Sequence, residues 1–290
     1  MLVKRVIITG TKGYIANRLK IWLNKSNRKM EVILLDMRDD IWKSFDFKAN
    51  DVIVHAAALV HRNEKKISYA EYERVNVKLT AELANRAKKA GCNQFIFIST
   101  AAVYGIKPSC IKTSIITNKT VPVPRTKYGV SKFEAEKALL SLEDENFKVA
   151  IVRAPFVYGP NCPGNYKSLR KLTLKFKISP RLENKKSIIY VDNLCEFLYI
   201  IIRDKMSGIF MPQNKHIMST YEMAQAIAEC NNQAILISRI FNPLVCLASL
   251  FITKIAVAFS NEYYSESISN FDIDYNIVDF KQSIKLSELK

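Results

Sequence analysis

The sequence predicts an α/β chain, a doubly wound parallel sheet followed by a smaller C-terminal domain. Three observations carry that prediction. Apolar strand-like runs alternate with amphipathic helical stretches through the first half of the 290 residues, the rhythm of a sheet whose strands are joined by crossover helices. A glycine-containing turn connects the first strand to the first helix. Inner runs such as "DVIVHAA" at 51–57 are continuously apolar, as strands covered on both faces are.

The elements follow in order. "LVKRVIITG" runs into Gly10-x-x-Gly13-x-x-Ala16 and then the helix "YIANRLKIWL". Glycine permits the tight turn and lets backbone N–H groups at the helix N-terminus approach a pyrophosphate. Ala16 is small enough for close helix–strand packing. "EVILLD" ends at Asp36, where a carboxylate can hydrogen-bond adenine ribose hydroxyls and so favours NAD. Arg38, two residues on, would instead accept the 2′-phosphate of NADP. The next stretch, "DMRDDIWKSFDF", is too short for a full crossover helix. Residues 68–91 read as a long amphipathic helix, 93–100 as a strand ending at Thr100, and 147–153 as a further strand. Between these strands lies "PRTKYGVSKFEAEKALL", with an apolar stripe through Ala135, Ala138 and Leu139. Ligands of such sheets bind beyond the carboxyl ends of the strands, where Gly10, Gly13, Ala56, Ala57 and Thr100 fall.

Tyr128 and Lys132, at i and i+4, share a face of that helix. A nearby ammonium favours the phenolate, so the Tyr128 pKa is expected to be drawn down from about 10 towards that of a usable base. Thr100 supplies a hydroxyl that can position a substrate oxygen.

Composition narrows the classes. Hydrophobic residues make up 49% of the chain, enough for a sizeable core and against general disorder. Lys plus Arg number 44 against 27 Asp plus Glu, a net charge of +17. Such a charge draws anions. The lysines are scattered rather than striped and no nucleic-acid-binding signature accompanies them, so no nucleic-acid partner is expected. The six cysteines and three histidines form no CxxC pair or metal-ligand spacing, so no metal is expected. The chain enters its first strand without a signal-peptide pattern, which predicts a cytoplasmic location.

Seven motifs stand in register: "TGTKGYIA" at 9–16, "HAAA" at 55–58, "VNV" around Asn76, "STAAVYG" at 99–105, "YGVSK" at 128–132, "RAPFVYGP" at 153–160 and "IIYVDNL" at 188–194. In this the chain resembles the extended short-chain dehydrogenase/reductase family, in particular its nucleotide-sugar 4-epimerases and 4-ketoreductases such as UDP-glucose 4-epimerases. The resemblance implies a Rossmann NAD(P) domain at 1–160, with 187–212 returning to it. A small substrate-binding domain would take 161–186 and 213–290. It implies that Tyr128 is the catalytic acid/base, that Lys132 binds the nicotinamide ribose and lowers the Tyr pKa, and that Thr100 hydrogen-bonds the reacting hydroxyl. Further cofactor contacts would come from Gly10, Gly13, Tyr14, Ile15, Asp36 and Arg38, and from Ala56, Ala57, Ala58, Asn76 and Pro155. Substrate contacts would come from Tyr104, Phe156, Asn165, Arg181 and Lys186, although Tyr104 reads equally as a packing residue and the two basic residues as a solvated loop.

The implied reaction is hydride transfer at C4 of a UDP-sugar, by a UDP-hexose or UDP-N-acetylhexosamine 4-epimerase. A reductase of a UDP-4-keto-6-deoxy-N-acetylhexosamine in surface-polysaccharide synthesis would use the same residues. A catalytically inactive NAD(P)-sensing protein of the same fold is a third reading. Dehydratase chemistry needs an acid pair just after Thr100, where Ala101 and Ala102 stand. Galactose epimerases carry an Asn just after the arginine corresponding to Arg153, where this chain has Ala154, Pro155 and Phe156. A homodimer is compatible with the sequence.

"IFNPLVCLASLFITKIAVAFS" at 240–260 contains one charge, Lys254. The plain expectation is a core helix of the C-terminal domain. The sharper one is an exposed apolar helix that touches a membrane or a partner, in keeping with the basic charge.

Overall fold

The computed structural model describes residues 4–25, 28–60 and 67–289. They divide into two compact units. The first comprises Met1–Gly105, Val121–Ala154 and Cys195–Pro212, the second Ile106–Thr120, Pro155–Leu194 and Gln213–Lys290.

The first unit is built on one parallel sheet. Its strands are β1 (Lys4–Thr9), β2 (Met30–Leu35), β3 (Val52–His55), β4 (Gln94–Thr100), β5 (Lys148–Ala154) and β6 (Gly208–Phe210). Their spatial order is β6-β5-β4-β3-β1-β2, every neighbouring pair parallel. The continuously apolar runs are the central strands: Ile7, Ile53, Phe95, Phe97, Val149 and Ile151 are fully buried. The order reverses between β1 and β3, and a crevice for a ligand opens where neighbouring strands lead their connections to opposite faces. Gly10 follows β1 and Ala56 follows β3, so both predicted turns lie at this reversal.

Four helices of this unit position the site: α1 (Tyr14–Leu23), α2 (Tyr69–Tyr72), α3 (Leu79–Lys89) and α4 (Lys127–Leu140). The expected helix over 68–91 is interrupted, because Glu73–Lys78 form a π-helical turn between α2 and α3. The cause is Asn76, buried within that turn. Its amide oxygen accepts from Leu59 N at 2.8 Å, and its nitrogen donates to Leu59 O and to Ser131 Oγ, each at 3.0 Å. The short β2–β3 connection holds a 3₁₀ turn at Asp40–Ser44 in place of a crossover helix, with Trp42 buried.

The second unit is made of short parallel pairs. Phe156–Tyr158 pairs with Ile188–Tyr190, Ile178–Pro180 with Leu236–Ser238, and Ser114–Ile116 with Glu262–Tyr264. The two compact units divide the chain at points other than those expected. The first unit ends at Ala154 rather than 160, residues 187–194 stay with the second unit, and 106–120 cross into it. The core-helix reading of 240–260 also fails. Helix Asn242–Phe251 has no buried residue, and the chain breaks at Ile252 before a second helix, Thr253–Ala258, buries Ala256. Among the described residues no helix is long and apolar enough to cross a membrane.

Candidate active site

The turn after β1 is shaped to receive a phosphate group. Gly10 sits at φ +92°, and a Cβ there would meet the Ala57 backbone at 3.1 Å. Small residues at Gly10 and Ala57 therefore let the two turns approach. Gly13 N closes the turn on Gly10 O at 2.7 Å. Asn17 Nδ2 braces it, donating to Thr11 O and Gly13 O at 2.8 Å. Helix α1 then begins at Tyr14 with no side-chain cap and no acidic residue in its first turn. The orphan N–H groups and positive end of its dipole suit an anion. These residues fit a dinucleotide.

A residue chain that the sequence reading missed holds the two turns together. Thr9 Oγ1 accepts from Ala57 N at 3.2 Å and shares a 2.7 Å hydrogen bond with His55 Nδ1. His55 Nε2 in turn lies 2.9 Å from Thr80 Oγ1. Burial drives the His55 pKa down to about 3, with the nearby Lys132 adding to it, so the ring is neutral. The signal was a polar residue closing the apolar run "DVIVH".

Asp36 and Arg38 are partners rather than rivals. The carboxylate accepts from Thr11 Oγ1 at 3.1 Å, from Arg38 N at 3.1 Å and from Arg38 Nε at 2.9 Å, and pairs with Arg38 Nη2. Hydrogen bonding to Arg38 holds it well below the usual carboxylate range. Asn76 also has a structural role. Expected to touch cofactor, it spends its amide on Leu59 and Ser131, and so ties the loop that follows Ala56, Ala57 and Ala58 to α4.

Helix α4 carries the chemistry to the end of β4. Thr126 caps it, accepting from Gly129 N at 3.0 Å. Gly129 packs directly on the 3₁₀ turn Ala101–Tyr104, and a Cβ there would meet Ala102 O at 2.7 Å. This contact brings Tyr128 to Thr100, whose side chain hydrogen-bonds the phenol. Tyr128 is only 9% exposed. Its burial pushes the pKa up to about 12, with the Thr100 hydrogen bond acting the other way. The expected lowering by Lys132 is thus overturned, because desolvation of the phenolate dominates. Lys132 is 1% exposed, its ammonium 3.7 Å from the centre of the Phe97 ring. Burial drives it down to about 7, opposed by Glu136.

Glu136, one turn beyond Lys132 on the same face, anchors a buried network. Arg153 donates to it through Nε at 3.2 Å and Nη2 at 2.7 Å, and Ser99 Oγ bonds it from β4. Arg153 Nη1 also donates to the Tyr104 hydroxyl at 2.9 Å. Tyr104 is therefore a buried support under the site, which favours the packing reading over substrate contact. The clue to this network was an arginine closing the apolar strand "VAIVR".

The remaining expected contacts belong to the second unit. Pro155 immediately precedes the strand Phe156–Tyr158, and Phe156 stacks on Tyr158 at 6.5 Å. Asn165 is exposed at the start of helix Asn165–Phe176, which no side chain caps. Arg181 is exposed with its guanidinium 5.9 Å from the Tyr221 ring. Lys186 is turned inward, donating to Val257 O at 2.6 Å. Burial drives it down to about 8, with Glu262 acting against the shift.

A doubly wound sheet with an anion-receiving turn and a Tyr–Lys helix beside a strand-end hydroxyl is the framework of a dinucleotide-dependent oxidoreductase. Residues 6–210 match the NAD dependent epimerase/dehydratase family, and the chain belongs to that family. The UDP-glucose 4-epimerase of Vibrio cholerae is 30% identical over 249 residues, covering 78% of this chain and 75% of its own. A UDP-glucuronic acid 4-epimerase from Bacillus cereus, solved with NAD, superposes with a TM-score of 0.71 at 16% identity over 98% of this chain and 97% of its own. A dTDP-4-dehydrorhamnose reductase from Clostridium acetobutylicum gives 0.65 at 21% identity over 80% and 82%. The two solved structures establish likeness of fold.

Proposed function

We propose that the protein moves hydride at C4 of a UDP-sugar, as a 4-epimerase of a UDP-hexose or UDP-N-acetylhexosamine. The observation that carries this reading is the Thr100–Tyr128 hydrogen bond at the end of β4, with Lys132 one turn along the same helix face. The Vibrio cholerae relative supports the choice of a UDP-sugar and of C4.

Gly10, Gly13, the first turn of α1 and Asp36 would hold the dinucleotide, which supplies hydride acceptance and return when bound. Thr100 orients the sugar oxygen against Tyr128. Tyr128 acts here as the phenolate, taking the 4-hydroxyl proton as hydride leaves C4 and returning it from the resulting phenol when hydride comes back. The burial of Tyr128 keeps water from that exchange. Lys132 holds positive charge one helical turn away when protonated and favours the phenolate at the moment it forms. NAD is preferred over NADP, since a 2′-phosphate would have to strip Arg38 from Asp36 and face the carboxylate. Titration of the protein with both nucleotides tests this; tighter NADP binding would assign the pocket to Arg38.

One observation favours a second reading. A phenol pushed up to about 12 holds its proton, as the proton donor of a 4-ketoreductase must. Incubation of the purified protein with UDP-glucose or UDP-N-acetylglucosamine, without added nicotinamide, separates the two. Appearance of the C4 epimer by NMR with no net redox change supports the epimerase. Stoichiometric NAD(P)H consumption with a UDP-4-keto-6-deoxy sugar replaces it with the reductase. Nucleotide binding without turnover of either substrate would leave a binding protein.

A further inference from the structure

We infer that the second unit carries a docking surface for an anionic lipid bilayer, centred on helix Asn242–Phe251. The inference is independent of the reaction proposed above.

A helix in a globular unit ordinarily buries one face. This one buries no residue fully: Val245, Cys246, Ala248 and Ser249 are half-buried on one side, while Leu244 is 67% exposed, Phe251 80%, and Leu247 and Leu250 are also exposed. Leu244, Leu247 and Phe251 stand at i, i+3 and i+7, one above the other on the same face. Ile240 extends the apolar surface through the preceding 3₁₀ turn. The surface then continues sideways. Strand Leu236–Ser238 pairs with Ile178–Pro180, and Leu236 N donates to Lys177 O at 2.8 Å. Leu236, Ile178 and Phe176 are all exposed there. An apolar patch of this extent on one face marks an interaction site.

Its rim fixes the partner's chemistry. The exposed Lys175, Lys177 and Arg181 border the patch, whereas Lys186 is turned inward and Arg170 pairs with Glu288. Lys177 and Arg181 flank the paired strand, and Asn242 Nδ2 fastens the helix start to Arg181 O at 2.9 Å. Lys175 Nζ lies 5.3 Å from the exposed Phe176 ring, a cation beside an apolar group. On the helix's other flank, Cys110 and Ser249 are 3.2 Å apart, which brings exposed Ile111 and the neighbouring Lys112 alongside. Apolar groups ringed by cations suit the acyl boundary and headgroups of an acidic bilayer. The described helices cannot span a membrane, so the helix lies in the interface plane. A second copy is the poorer occupant, because a two-fold contact would set one basic rim against the other.

The test is flotation of the full-length protein with vesicles of phosphatidylcholine alone and of phosphatidylcholine mixed with phosphatidylglycerol. Binding is expected only to the acidic vesicles and is expected to weaken at high salt. The Leu247→Ser/Phe251→Ser variant should lose binding by roughly a hundredfold while UDP-sugar turnover is unchanged. Lys175→Glu/Lys177→Glu should abolish the preference for acidic vesicles with the apolar face intact. Failure of the wild type to float with either vesicle overturns the inference. So does a dimer in sedimentation velocity that Leu247→Ser/Phe251→Ser converts to monomer without any vesicle binding.

Discussion

At the residue scale the proposed chemistry rests on Tyr128, held against Thr100 with Lys132 one helical turn along the same face. Local i, i+4 spacing joined Tyr128 to Lys132, and the family resemblance added Thr100 to them. The direction of the Tyr128 pKa was not local. It depends on how much of the sheet and of α4 closes over the phenol, and that burial outweighs the Thr100 hydrogen bond. The Glu136–Arg153 pair was hidden for a like reason: it joins a helix to a strand through side chains that only the packed sheet brings together. Tyr128→Phe should lower turnover by about 10²–10⁴-fold, the usual contribution of a positioned acid–base group, with nucleotide affinity retained by equilibrium titration. Near-full turnover would remove Tyr128 from the chemistry. Lys132 gives a stability prediction with a definite sign. Its pKa of about 7 in the fold lies below the ordinary 10.5, so the unfolded chain binds the extra proton between those values. The site therefore destabilises the fold fully below pH 7, and the cost is relieved as pH rises to 10.5. Lys132→Met is expected to melt higher than wild type at pH 7 and below, with the difference vanishing by pH 10.5, while turnover falls. A lower melting temperature at pH 7 would mean that the ammonium over the Phe97 ring stabilises the fold on balance.

Elements explain why the site has its geometry. The alternation of apolar and amphipathic runs was enough to predict the sheet, since central parallel strands need apolar side chains on both faces. It was not enough to predict the π-helical turn at Glu73–Lys78, which exists to let one buried amide reach the Leu59 backbone and Ser131. Nor could hydropathy distinguish an apolar helix in a core from one left on a surface, as Asn242–Phe251 is. Gly129 shows the most direct coupling of element packing to chemistry. Its missing side chain lets the first turn of α4 rest on Ala102 O, and that contact sets where Tyr128 stands relative to Thr100. In Gly129→Ala the added methyl must displace backbone, an overpacking cost of about 1–3 kcal/mol. Turnover per folded molecule should drop by up to about 10²-fold, because small displacements of positioned groups are costly. Thermal melts and kcat measured on the same preparation check this. A lowered melting temperature with unchanged kcat would show that α4 finds its place without that contact.

For the whole molecule, the net charge of +17 acts at long range, while the chemistry acts in a shielded place. The UDP-sugar proposed as substrate carries a diphosphate, so the protein's summed field should raise its encounter rate. Exposed charges lose influence beyond the screening length, which shortens from about 30 Å at 0.01 M salt to about 8 Å at 0.15 M. Tyr128 and Lys132 are 9% and 1% exposed, and buried charges are screened much less. The two quantities should therefore separate on a salt titration. Provided that capture of the substrate limits kcat/KM, that ratio is expected to fall several-fold between these ionic strengths while kcat stays nearly constant. Steady-state assays across the range, with potassium chloride and potassium acetate compared to exclude anion competition at the diphosphate site, measure both. A kcat that falls in step with kcat/KM would place salt-sensitive groups in the chemical step itself, contrary to the burial of Tyr128 and Lys132.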